Sequence, residues 1–103
     1  MSKYRNKKVE YDGYKFDSIR EKNRYMDLRL LEKAKEIRDI RLQVKYDLDV
    51  NGVRITTYKA DFVYWDLINK REVVEDSKGY PNDRYPMKKK LMKAIHGIDI
   101  FET

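Results

Sequence analysis

Hydrophobic and polar positions alternate most regularly between residues 40 and 50. Leu42, Val44, Tyr46, Leu48 and Val50 interleave with Gln43, Lys45, Asp47 and Asp49. A period of two predicts a strand with one buried and one polar face. Asn51-Gly52 follows, a pair that favours a two-residue hairpin turn. Residues 53–65 read as the returning strand, 66–70 as a second turn and 71–78 as a third strand, which makes an antiparallel meander. Ahead of it, Met26, Leu30, Ala34 and Ile37 recur at helical spacing, broadened by Leu28 and Leu31. This predicts a helix over residues 19–36, with Ser18 as N-cap and Glu21 placed to complete a capping box. Val9-Glu10-Tyr11 and Tyr14-Lys15-Phe16 flank Asp12-Gly13 and predict a small β-hairpin. Residues 79–83 read as a loop. Pro86 suits a first helical turn, and residues 87–96 carry Leu91, Met92 and Ile95 among lysines. Gly97 can end that helix, and residues 98–101 form a last short strand. The expected fold is α+β, an α/β sandwich ordered as helix, three-stranded antiparallel meander, helix, strand, with a mixed sheet.

Composition narrows this picture. The 103 residues are expected to form one domain, with residues 1–16 a basic N-terminal segment and the small hairpin. Charged residues make up 41%, well above the usual quarter or so, yet the 13% of aromatic residues argues for a packed core. A formal net charge of +6 points to polyanionic partners, nucleic acid first and anionic membrane second, against the plainer reading of a soluble basic surface. With no cysteine, disulfides and thiolate metal sites are excluded. No apolar run is long enough for a membrane span, and the basic start lacks the apolar stretch of a signal peptide. A soluble cytoplasmic protein is the expectation. The single histidine, His96, precedes the capping Gly97 and reads as structural. It offers little to His-ligated zinc chemistry. Neither a Gly-x-Ser-x-Gly context nor a phosphate-binding glycine-rich loop is present.

Candidate chemistry lies in residues 58–78. There two apolar-rich runs carry Asp61, Asp76 and Lys78, where strands prefer other residues. Asp76 and Lys78 are two apart and share a face of the third strand. A turn at 66–70 pairs positions near 61 with positions near 75, so Asp61 and Asp76 approach across the ladder. Two facing carboxylates repel unless a cation lies between them, and a hard divalent ion such as Mg²⁺ (or Mn²⁺) suits such oxygens. Lys78 would then hold the attacking water or a phosphate oxygen. The plainer reading of the set is a cross-strand ion pair of little energetic value. Glu75 points away from Asp76 in a regular strand, although a bulge would exchange the two.

Asp61 followed fifteen residues later by Asp76-Ser77-Lys78 resembles the signature of the PD-(D/E)XK nuclease superfamily. Phe16-Asp17-Ser18-Ile19-Arg20-Glu21 with Arg24-Tyr25 resembles the opening helix of its small phage-encoded members, of Holliday-junction-resolvase-like type. Gln43-Val44, Ser77-Lys78-Gly79-Tyr80 and the basic helix from Met87 extend the likeness over residues 4–102. Ala60 stands where the signature carries proline, a position that is not a ligand. The resemblance implies a restriction-endonuclease-like core and a Mg²⁺- or Mn²⁺-dependent DNA endonuclease with no small-molecule cofactor. It implies Glu21, Asp61 and Asp76 as metal ligands, with Lys78 as the fourth catalytic residue. Glu21 has a plainer reading as the capping-box acid. Gln43 is a candidate contact to phosphate or to a metal-bound water. Lys88, Lys89, Lys90 and Lys93 are candidate DNA contacts, Lys90 nearest the scissile phosphate; otherwise they are a solvated helix face. A phage or prophage protein in a bacterial host is implied, acting on DNA, possibly branched. Cutting both strands calls for two sites and hence a homodimer. The alternative is a catalytically inactive nucleic-acid-binding or regulatory module, for which carboxylates facing phosphate would be repulsive.

Overall fold

The computed structural model describes residues 8–77 and 84–103. Strands β1 (Val9–Tyr11) and β2 (Tyr14–Phe16) form a hairpin across Asp12-Gly13, both left-handed at φ 56° and 82°. Helix α1 (Ile19–Lys33) follows; the amide of Glu21 donates to the Ser18 hydroxyl at 3.1 Å. Strands β3 (Ile37–Val50), β4 (Val53–Asp66) and β5 (Arg71–Asp76) make the expected antiparallel meander. Helix α2 (Tyr85–Leu91) widens into a π-helical turn at Met92–His96, ended by left-handed Gly97. Strand β6 (Phe101–Glu102) lies parallel to β5, so the four-stranded sheet β3-β4-β5-β6 is mixed and the fold is α+β.

The helices cover opposite faces of the sheet. Val63 and Val74 pack with Met92 and Ile100 on one face. Their neighbours Phe62, Tyr64 and Val73 pack with Tyr25, Leu28 and Phe16 on the other. The face of α1 that is buried differs from the expected one. Tyr25 and Leu28 are buried, whereas Met26 and Leu30 are exposed. The helix also stops at Lys33, because Lys35 turns left-handed at φ 62° and the Glu36 amide bonds back to the Leu31 carbonyl. Ile37 therefore opens β3 instead of closing α1.

Strand β3 departs from a strict period of two. Leu42 packs on the α1 side, while Val44 packs on the side of the π turn. Between them Gln43 is left-handed at φ 55°. Its neighbour strand changes sides at the same level, since Ala60 faces the π turn and Phe62 faces α1. A second irregularity leaves Ile55 as the extra residue of a bulge, between the pairs Leu48↔Thr56 and Asp49↔Arg54. Val50, predicted as buried, is exposed with Val53 and Ile55 at the tip of the hairpin, beyond the reach of either helix.

Candidate functional site

The β4–β5 ladder ends at Phe62↔Glu75, and the next residues outward on the two strands are Asp61 and Asp76. The strands part there, and each aspartate projects into the fork. Helix α1 brings Glu21 to the same place from its first turn. The Nε2 of Gln43 donates to Glu21 Oε2 at 2.7 Å and to Asp61 Oδ1 at 3.4 Å, linking helix and fork. The left-handed backbone at Gln43 stands at this crossing point. Asp61 Oδ2 also accepts the Ser77 amide at 2.8 Å, and Asp76 Oδ2 accepts the Tyr58 hydroxyl at 2.7 Å.

The electrostatics of this fork are strained. Burial raises the Asp61 carboxyl to about 8, with the charges of Glu21 and Asp76 adding to the rise. Glu21 is raised as well, by burial first and then by Asp17, against a backbone hydrogen bond from Asp17 and a side-chain one with Asp61. Every hydrogen-bond donor described for Glu21, Asp61 and Asp76 is neutral: an amide, a hydroxyl or a backbone N–H. Among the described residues, none of the three is in an ion pair.

Glu75 is the contrast. Its side chain is fully buried on the α1 face and accepts two bonds from Arg24, at 2.6 and 3.0 Å. It also accepts from the Tyr64 hydroxyl at 2.7 Å and the Thr103 hydroxyl at 3.0 Å. With both oxygens engaged, Glu75 is a structural ion-pair partner, and no bulge exchanges it with Asp76.

Of the other sequence candidates, Lys78 lies outside the described residues. Lys89 pairs with Glu102 at 3.1 Å and Lys93 with Asp99 at 2.9 Å, so both are engaged locally. Lys88 and Lys90 make no ion pair among the described residues, with Lys90 exposed and Lys88 half-buried. His96 bonds the Asp47 carbonyl at 2.8 Å and rests near the Tyr46 ring, tying the π turn to β3 as a structural residue. Sequence reasoning missed Tyr58 and Tyr85. The hydroxyl of Tyr85 donates to Glu102 at 2.6 Å, and its ring lies 6.3 Å from that of Tyr58. Both hydroxyls are held far above the usual phenol range, by burial first and then by their carboxylate partners. No sequence signal separates such tyrosines from ordinary core aromatics. A groove at the other end of the sheet, lined by Leu31, Ile37, Tyr64, Ile68 and Ile98, contains none of Glu21, Asp61 or Asp76.

Residues 1–98 match the model of a family described as protein of unknown function (DUF1064). The chain belongs to the DUF1064 family. That description covers both helices and the meander, and with them Glu21, Gln43, Asp61 and Asp76 of this DUF1064 chain. No curated protein and no solved structure matches it.

The donor types suit a divalent cation. Three carboxylates and an amide oxygen are hard ligands, and the excess negative charge suits a hard ion that keeps several waters. As they stand, no three His, Cys, Asp or Glu side chains among the described residues converge closely enough to hold an ion outright. The Gln43 amide lies between Glu21 and Asp61, and Tyr58 holds one oxygen of Asp76. Rotation of these two neutral side chains is what sharing one cation would require.

Proposed function

We propose that this chain is a metal-dependent DNA endonuclease of PD-(D/E)XK type, built on a restriction-endonuclease-like core. The observation that carries the reading is the meeting of Glu21, Asp61 and Asp76 at the β4–β5 fork with, among the described residues, only neutral donors around them. A surface ion-pair network would supply its own cations; among the described residues this cluster has none.

In this reading Glu21, Asp61 and Asp76 hold Mg²⁺ or Mn²⁺. When bound, such an ion lowers the pKa of a water and offsets charge on the reacting phosphate. The chain's own contribution is positional. The Ser77 amide holds one oxygen of Asp61, and Gln43 and Tyr58 are the neutral partners that a cation would displace. Lys78, two residues after Asp76, takes the role of orienting water or a phosphate oxygen. A homodimer acting on branched DNA in a phage-infected or lysogenic cell completes the proposal.

The test is cleavage of labelled four-way junction, flap and linear duplex with Mg²⁺ or Mn²⁺, beside Asp76→Ala and EDTA controls. Metal-dependent cutting lost in Asp76→Ala is the expected result, and the substrate ranking separates a resolvase from a general endonuclease. DNA binding without cutting, unaffected or improved by Asp76→Ala, would replace this reading with the inactive binding module.

A further inference from the structure

Beyond the acidic fork the β3–β4 hairpin continues as a two-stranded arm, because β5 pairs with β4 only as far as Phe62↔Glu75. One face of the arm is covered. Val44, Tyr46, Leu48, Tyr58 and Ala60 pack with Leu91, Met92 and Ile95. The alternate positions face the other way. On that side α1 packs over the base of the hairpin, against Ile37, Leu42, Phe62 and Tyr64, and the cluster it forms includes no residue of the arm. The open face carries Lys45 and Lys59 directly opposite one another. Both are exposed, and neither has an ion pair or side-chain hydrogen bond among the described residues. The nearby acids cannot readily serve them, since Asp47 and Asp49 both pair with Arg54.

Like charges directly opposite across a ladder are destabilising. Among the described residues no carboxylate pairs directly with either lysine. It lies one pleat, about 7 Å along the strands, from the level of Gln43 and Asp61. An acidic fork repels a polyphosphate, so attraction has to come from cations beside it.

We infer that Lys45 and Lys59 form a clamp for the phosphate backbone of duplex DNA, seated on the open face of the arm next to the fork. The inference rests on the nuclease reading for the identity of its ligand and adds a binding subsite outside the acidic residues. Lysines in this role position the duplex without reading its sequence. Each neutralised phosphate also adds to the salt dependence of binding.

The test is fluorescence anisotropy of a labelled duplex in EDTA over a salt series, with no divalent ion present. Wild type is compared with Lys45→Ala/Lys59→Ala, with Lys45→Arg/Lys59→Arg, and with Lys33→Ala/Arg71→Ala at the far end of the sheet. The alanine pair is expected to bind at least tenfold more weakly, its log–log salt slope smaller by about 1.8. The arginine pair and the distant pair should bind near wild type, and the alanine pair should melt no lower than wild type, since all four positions are exposed and its like-charge pair is gone. Lysine-dependent binding with no metal-dependent cutting would uphold the clamp and remove the nuclease reading. Cutting with affinity and slope unchanged in the alanine pair would overturn the clamp alone, and absence of DNA binding by wild type would overturn it as well.

Discussion

Arg24 and Glu75 form a two-pronged ion pair across 51 residues of sequence, Nε and Nη2 reaching one carboxylate oxygen each at 2.6 and 3.0 Å. One residue further along β5, Asp76 has a tyrosine hydroxyl and, among the described residues, no cation. Adjacent acids on opposite faces of one strand are thus divided between holding α1 to the sheet and facing the fork. Replacing Arg24 with Met would leave Glu75 charged, buried and uncompensated. Removing one partner of a buried pair typically costs about 3–5 kcal/mol, and Arg24's partial exposure places this case near the lower end. Urea denaturation of Arg24→Met should show the loss, while Glu75→Gln should retain Mn²⁺ binding by calorimetry.

Asp61→Asn should do the reverse. It removes one of the like charges crowded into the fork, and its remaining amide oxygen can still accept from Ser77. A gain on the order of 1–3 kcal/mol at pH 8 is expected. A domain of this size gains about 4–8 °C in Tm for each kcal/mol. The same variant should lose metal-dependent cleavage. A substitution that stabilises the fold and abolishes activity is the mark of a site strained for function.

The same crowding sets a pH dependence. Asp61 is raised from 3.8 to about 8 on folding, so between those values the folded state binds the proton that the unfolded state releases. Its contribution is fully present below the unfolded value and is lost as pH rises through about 8. Glu21, raised in the same direction, adds to the trend. Melting temperature in EDTA should therefore fall between pH 5 and pH 8, and Asp61→Asn should flatten that fall. Added Mn²⁺ should restore stability at pH 8 by mass action, and Asp76→Asn should weaken that recovery.

Lys35 holds a left-handed conformation that costs a non-glycine residue about 1 kcal/mol or slightly more. Lys35→Gly keeps the helix-ending bonds to Glu32 and Leu31, which use backbone atoms. A rise of several degrees in Tm is expected, with no change in DNA binding.

Element order was legible from local pattern because each start and stop had a chemical marker. Asp12-Gly13 and Asn51-Gly52 turn as their residue types demand, Ser18 caps α1, and Gly97 ends the π turn. The end of α1 was not legible, since a lysine occupies the left-handed position where glycine is the usual signal. The meeting of Asp61 and Asp76 followed from strand register alone. Tyr58 as the partner of Asp76 did not, because it depends on which face of β4 is turned inward at the fork. Lys45 and Lys59 were concealed by a single residue. A two-residue turn at Asn51-Gly52 sets Lys45 opposite Tyr58, and the bulge at Ile55 moves it opposite Lys59. The buried stripe of α1 was misread because its apolar spacing favoured Met26 and Leu30, whereas the sheet selected Glu21, Tyr25 and Leu28.

Strand β3 is 14 residues long and forms one edge of the sheet. A flat edge of that length is an open template for another chain's strand and an invitation to fibrils. The left-handed residues Asp39 and Gln43 interrupt it. At each, the row of outward N–H and C=O groups is thrown out of line, so an incoming strand finds no continuous run to zip along between Ile37 and Val44. The kink that brings Gln43 to its place between Glu21 and Asp61 thereby also guards a highly charged, thinly cored chain against self-assembly.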